Sequence, residues 1–302
     1  MNFYLWGGCE LEDTVPHLQK RMPLSKFTYV GGTSCGSLFS NAGPVTEAVY
    51  NWYEQLTTTE PERSKRVQSA KNLYQEVVTK DYFPDWMRKE ITKDDWLILS
   101  FSKEIYPRYN SPEEHITLGD DMVQAFGTAT KLKFPKKIVS KVFDKTHHVG
   151  FDDEYVIHTY KNEWGPMLAE YFYDIFQDRV LLVHNEPARR YYHPNIGVYW
   201  DLPTINSMSQ IYLNSGAGKY HNKDNWYEVS KTVKFLHTGF RLRYPTKIPQ
   251  ITLSHKETVG DDHHKFGRNV FHYTRDTHKL IARRIISKLS TIIAKKAGTN
   301  IS

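Results

Sequence analysis

Two cysteines in 302 residues cannot build a disulfide framework, and that scarcity fits a reducing, cytoplasmic setting. The chain lacks any run approaching about 18 consecutive apolar residues, which argues against a membrane-spanning helix. Its opening, MNFYLWGGCE, has no positive stretch, no long apolar core and no small-residue cleavage site, so no signal peptide is expected. Internal repeats and low-complexity tracts are missing, which sets aside solenoids and a mainly disordered chain. There is no arginine-rich arm, RNP-type motif or zinc-finger Cys/His spacing. The net charge of +6, from 40 basic and 34 acidic residues, therefore reads as a solvated surface rather than a nucleic-acid footprint. What remains is one large domain over residues 1–302, long enough to bury a core without staples.

The apolar pattern supplies the fold class. Asn2–Trp6 is a short apolar run that stops at Gly7-Gly8, and Phe27–Val30 is a second that stops at Gly31-Gly32. Trp96–Phe101 and Val180–His184 read as buried strands. Helical spacing covers Glu10–Lys20, Thr46–Gln55, Glu62–Val78, Pro166–Phe176 and Thr274–Lys296. Short apolar strands alternating with helices predict an α/β sandwich around a mainly parallel sheet. In the last helix Ile281, Ile285, Leu289 and Ile292 share a face, which predicts docking on the sheet with a basic outer side. Residues 103–165 are rich in Lys, Asp, Glu and His with weak periodicity, and read as a mixed insertion or a lid over the sheet.

Three stretches carry chemistry. In a parallel sheet, ligands bind beyond the carboxyl ends of the strands, where Gly7-Gly8-Cys9 falls. A thiol on a glycine-flanked strand-to-helix turn suits a nucleophile, with backbone N–H groups near Gly8, Cys9 and Glu10 as oxyanion donors. The alternative is a buried, inert cysteine. The turn Gly31–Ser37 resembles an anion-binding nest, with Ser34, Gly36 and Ser37 as candidate substrate contacts, or a plain βα turn; it lacks the Gly-Lys-Ser/Thr ending of a P-loop. Last comes Asp261-Asp262-His263-His264-Lys265-Phe266-Gly267, followed by Phe271-His272-Tyr273. A nucleophile needs a base and the base an orienting carboxylate, and Asp261 lies three residues before His264. The vicinal histidines also suggest metal, but no further Asp/His set stands at ligand spacing, so no metal is expected.

In their order these blocks resemble the SGNH/GDSL hydrolase superfamily, and more narrowly a branch of polysaccharide-biosynthesis acetyltransferases, WcbI-like. That branch opens on a strand and Gly-Ser-Cys-x-x-Arg-Asp, matched by Gly7-Gly8-Cys9-Glu10-Leu11-Glu12-Asp13. Ser34, Ser37 and Leu38 match its Ser-x-x-Ser-Leu segment, and Asp261, His264, Lys265, Phe266, Gly267, Phe271, His272 and Tyr273 its closing block. The resemblance covers both ends of the chain; the middle shares only strand rhythm. Gly8, Glu12 and Phe266 depart from the pattern's Ser, Arg and Trp.

The resemblance implies a flavodoxin-like three-layer sandwich and an acyltransferase, acetyl-CoA being the donor and a sugar of a capsular or other surface polysaccharide the acceptor. Cys9 would be the nucleophile, His264 the base, Asp261 its orienting carboxylate and His272 the reserve base. Lys265 and Arg268 would face the phosphates of CoA. Two other functions fit the same residues: a carbohydrate esterase or thioesterase, and a non-catalytic sugar- or nucleotide-binding protein on a degenerate scaffold.

Overall fold

The computed structural model describes residues 1–30, 43–102, 108–110, 114–117, 120–144, 146–147, 154, 157–204, 207, 223–265, 270–296 and 298. The chain divides into two compact units. One comprises Met1–Gly32, Thr92–Glu104 and Gly150–Ser302; the other comprises Thr33–Ile91 and Ile105–Val149. The stretch 103–165 thus contributes to both, and the second unit also takes in the two helices that precede it.

The first unit is α/β. Strands β1 (Asn2–Trp6), β2 (Lys26–Tyr29), β3 (Trp96–Leu99), β7 (Val180–Asn185) and β10 (Gln250–Leu253) form a sheet in the order β10-β7-β3-β1-β2. Every pairing in it is parallel. The middle strands read as unbroken apolar runs because both faces are covered: Phe3, Leu5, Leu97, Ile98, Leu99, Leu181 and Leu182 are all fully buried. On one face lie α2 (Val15–Arg21) and α9 (Arg275–Lys296), the latter packed on β7 and β10 through buried Ile281, Ile285 and Leu289. On the other lie α7 (Gly165–Phe176) and α8 (Lys223–Arg243); Phe172 of α7 meets Trp6 edge to face and Phe240 of α8 meets Phe101. Helix, sheet and helix make the three-layer sandwich expected from the pattern.

Two local departures have clear causes. The helix expected over Glu10–Lys20 is two pieces, α1 (Cys9–Glu12) and α2, because Pro16 has no N–H to continue the ladder and instead sits in the first turn of a new helix. The π-helical segment Ile157–Trp164, which runs into α7, passes so close to α8 that a Cβ on Gly239 would lie 2.1 Å from the Lys161 carbonyl oxygen. Only glycine permits that approach. A small sheet, β11-β8-β9, from Val259–Asp261, Arg190–His193 and Val198–Asp201, completes this unit.

The second unit packs α3 (Pro44–Thr59), α4 (Lys65–Glu90), α5 (Asp120–Lys131) and α6 (Lys136–Asp144) with a small antiparallel sheet, β5-β4-β6, of His115–Thr117, Arg108–Asn110 and Thr146–His147. Val45, Val49, Trp52, Leu56, Leu73, Phe126 and Phe134 are the heart of its own core. Fully buried Glu114 accepts the Val45 and Thr46 N–H groups at 3.0 and 2.9 Å. It thereby caps α3 and ties the two stretches of this unit together. Among the described residues no helix is long and apolar enough to cross a membrane.

Candidate active site

The sheet order reverses at β1, with β2 on one side and β3 on the other, so the loops leaving β1 and β3 open the crevice typical of such sheets. Trp6 pairs with Leu99, and the next residues of each strand meet immediately beyond. The Gly8 N–H donates to Ser102 Oγ at 2.8 Å, while the Ser100 and Ser102 hydroxyls donate to Glu10 Oε1 at 2.7 and 2.5 Å. Glu10 is fully buried, and its carboxylate ties the two loops together. Glycine at position 8 is steric: a Cβ there would lie 2.5 Å from Ser102 Oγ and 2.7 Å from Glu10 Oε2. A serine in its place has no room.

Cys9 follows, half-buried. One turn on, Asp13 donates its N–H to the Cys9 carbonyl at 2.9 Å, which places both side chains on one face of the turn. The Asp13 carboxylate takes two partners from the far end of the chain: His264 Nε2 at 2.8 Å and Lys265 Nζ at 2.7 Å. Burial alone would raise the Asp13 pKa, but these two hydrogen bonds and the nearby His278 hold it well below the usual carboxylate range. Asp13 in turn raises the pKa of Lys265, with Glu12 and Cys9 adding to the effect, so the ammonium shares the electrostatic neighbourhood of the thiol. The carboxylate contact selects the tautomer that carries its proton on Nε2, in which Nδ1 is the acceptor nitrogen. The His272 ring stacks on His264, centroids 4.1 Å apart and planes 24° from parallel.

The structure corrects two expected roles. The carboxylate on His264 is Asp13, not Asp261, whose Oδ1 instead accepts the His263 N–H at 2.9 Å in a local turn. The Gly8 N–H is committed to Ser102 rather than offered to an oxyanion. His272, expected as a reserve base, packs face to face on His264. His264 and Lys265 meet on Asp13, one turn after Cys9. Ser34, Gly36, Ser37 and Arg268 lie outside the described residues.

No protein-family model matches this chain, and no curated protein does.

Several site residues went unread in the sequence. Ser100 and Ser102 were visible only as the end of an apolar strand. His278 sits on α9 with Nδ1 3.2 Å from Thr14 Oγ1, whose hydroxyl donates to the Glu10 carbonyl at 2.6 Å. Burial lowers the His278 pKa to about 4, so it is a neutral prop behind Asp13. At the same carboxyl edge, His184 of β7 packs 4.6 Å from His237 of α8, and burial holds both imidazoles neutral, His237 down to about 3. Asn185, beside them, is 3% exposed, and neither its amide oxygen nor its nitrogen has a hydrogen-bond partner among the described residues. A third group forms where β8 and β11 run side by side: His193, Asp262 and His263 converge within 4.8 Å.

Proposed function

We propose that the chain is an acyltransferase that carries the acyl group on Cys9, taking it from a CoA thioester, acetyl-CoA, and passing it to a sugar hydroxyl of a capsular or other surface polysaccharide. The observation that carries this reading is Asp13: one turn from the thiol, it gathers a histidine and a lysine that lie about 250 residues away in sequence. This arrangement suits an activated nucleophile whose base is held in one tautomer by a carboxylate.

In the first half-reaction the Cys9 thiolate attacks the acyl carbonyl, and collapse of the tetrahedral adduct expels CoA thiolate, which takes up a proton. In the second, the sugar hydroxyl attacks the thioester, its proton passes to His264 Nδ1, and the Cys9 thiolate leaves. Lys265 supplies positive charge beside the thiol, and Asp13 stabilises the imidazolium formed on His264. Asn185, whose amide atoms have no hydrogen-bond partner among the described residues, is a candidate polar contact for the acceptor at the same strand edge. A cytoplasmic setting, where CoA thioesters are made, suits this chemistry.

Intact-protein mass spectrometry after incubation with acetyl-CoA tests the reading. An acetyl adduct on wild type and Cys35→Ala, absent from Cys9→Ala, is the expected result. An adduct that discharges to acetate as fast without sugar as with it would make the protein an esterase. Neither adduct nor binding of CoA would overturn the acyl-transfer reading.

A further inference from the structure

We propose that His193, Asp262 and His263 form a binding site for a zinc-class divalent cation, separate from the cysteine site. His193 Nε2 and His263 Nε2 lie 3.2 Å apart, and Asp262 Oδ2 lies 3.8 Å from His193 Nε2. Two imidazole nitrogens on one tetrahedral zinc, each at about 2.05 Å, stand roughly 3.3 Å apart. Without a cation, a proton must lie between the two nitrogens, since neutral imidazole lone pairs do not attract. The ring planes stand 74° apart, so the two imidazoles do not stack.

The scaffold is rigid. Parallel pairing of β8 with β11 sets Tyr192 beside Asp261, and the Asp262 N–H continues the ladder onto the Tyr192 carbonyl at 3.1 Å. Gly260 lies against the Tyr191 ring, where a Cβ would come within 2.4 Å, so the two strands are held tightly. The Asp262 side chain is 2% exposed, whereas His263 is exposed. A buried carboxylate beside two imidazoles, one of them exposed, offers three protein ligands, to which water or a further ligand would add a fourth. The nitrogen-rich donor set favours zinc, cobalt or copper over magnesium and calcium, which prefer oxygen. The vicinal histidines therefore serve different ends, His264 turning to Asp13 and His263 to the cation. A filled site would pin the loop that carries His264 and Lys265.

The test is titration of chelator-stripped full-length protein with Zn²⁺ by calorimetry and with Co²⁺ by visible absorption. Wild type should take up one tightly bound cation, with intense Co²⁺ ligand-field bands, and excess Mg²⁺ should not displace it. His193→Ala and His263→Ala should each lose on the order of 100-fold in affinity, since even outer-shell changes cost about 10- to 100-fold. His158→Ala, removing an imidazole 76% exposed elsewhere on this unit, should bind as wild type does. His263→Ala alters an exposed side chain, so its folding, checked by circular dichroism, keeps the test decisive if Asp262→Asn fails to fold. Absence of binding, wild-type affinity in either histidine variant, or displacement by Mg²⁺ would each overturn the proposal.

Discussion

Asp13→Asn is the most informative single change, because it alters charge at nearly constant shape. Each Asp13 oxygen now accepts one donor, from His264 and from Lys265. The amide keeps one acceptor and turns an NH2 toward the other donor, so one contact becomes repulsive. The His264 contact is nearly enclosed, with side chains 8% and 17% exposed, and a charge-assisted bond of that kind is worth about 1.5–3 kcal/mol. Lys265 is 56% exposed, which limits its share to about 0–1 kcal/mol. The expected loss is thus about 2 kcal/mol near pH 7, read as a lower urea midpoint at unchanged m-value. The pH dependence has a definite sign. A carboxyl held below its unfolded value adds stability above about pH 4 that is lost as the pH falls, so the gap between wild type and variant should narrow in acid. Alkylation of Cys9 should slow as well, by on the order of 10- to 100-fold, because His264 and Lys265 lose their anchor. An unchanged midpoint together with unchanged alkylation would refute the idea that Asp13 organises this site.

Three further outcomes are expected. Gly8→Ala should cost about 1–3 kcal/mol through its clash with Ser102 Oγ, and Ser102→Gly in the same chain should recover part of that loss, as a double-mutant cycle would show. Gly239→Ala drives a methyl into the Lys161 carbonyl and should cost about 3 kcal/mol or more in thermal unfolding; a wild-type melting curve would mean that the π-helical segment does not pack as closely as described. His278, at about 4 when folded, is resisted by the fold when protonated, so acidification from about pH 6.5 to 4 should remove up to roughly 3 kcal/mol, and His278→Gln should flatten that slope.

The sheet was legible because its strands are buried on both faces. Asn2–Trp6, Trp96–Leu99 and Val180–Asn185 are apolar runs with glycine or polar stops, and such runs have few other ways to bury themselves. The π-helical segment was not legible, since nothing local sets it apart from an α-helix. Residues 103–165 carry only weak periodicity, and the structure divides them between two units, the core of the second being drawn from two separated stretches.

By itself the sequence determined the α/β class, the strand-to-helix turn at Cys9 and the closing His264–Lys265 block. These are local signals: apolar period, glycine turns and short spacings. The pairing of His264 with Asp13 rather than Asp261, and the meeting of His193 with Asp262 and His263, were decided only by tertiary structure. In sequence Asp261 is the nearer carboxylate, yet its short side chain is taken up by the turn it caps. Which distant groups meet depends on strand order and register, and no local spacing records either.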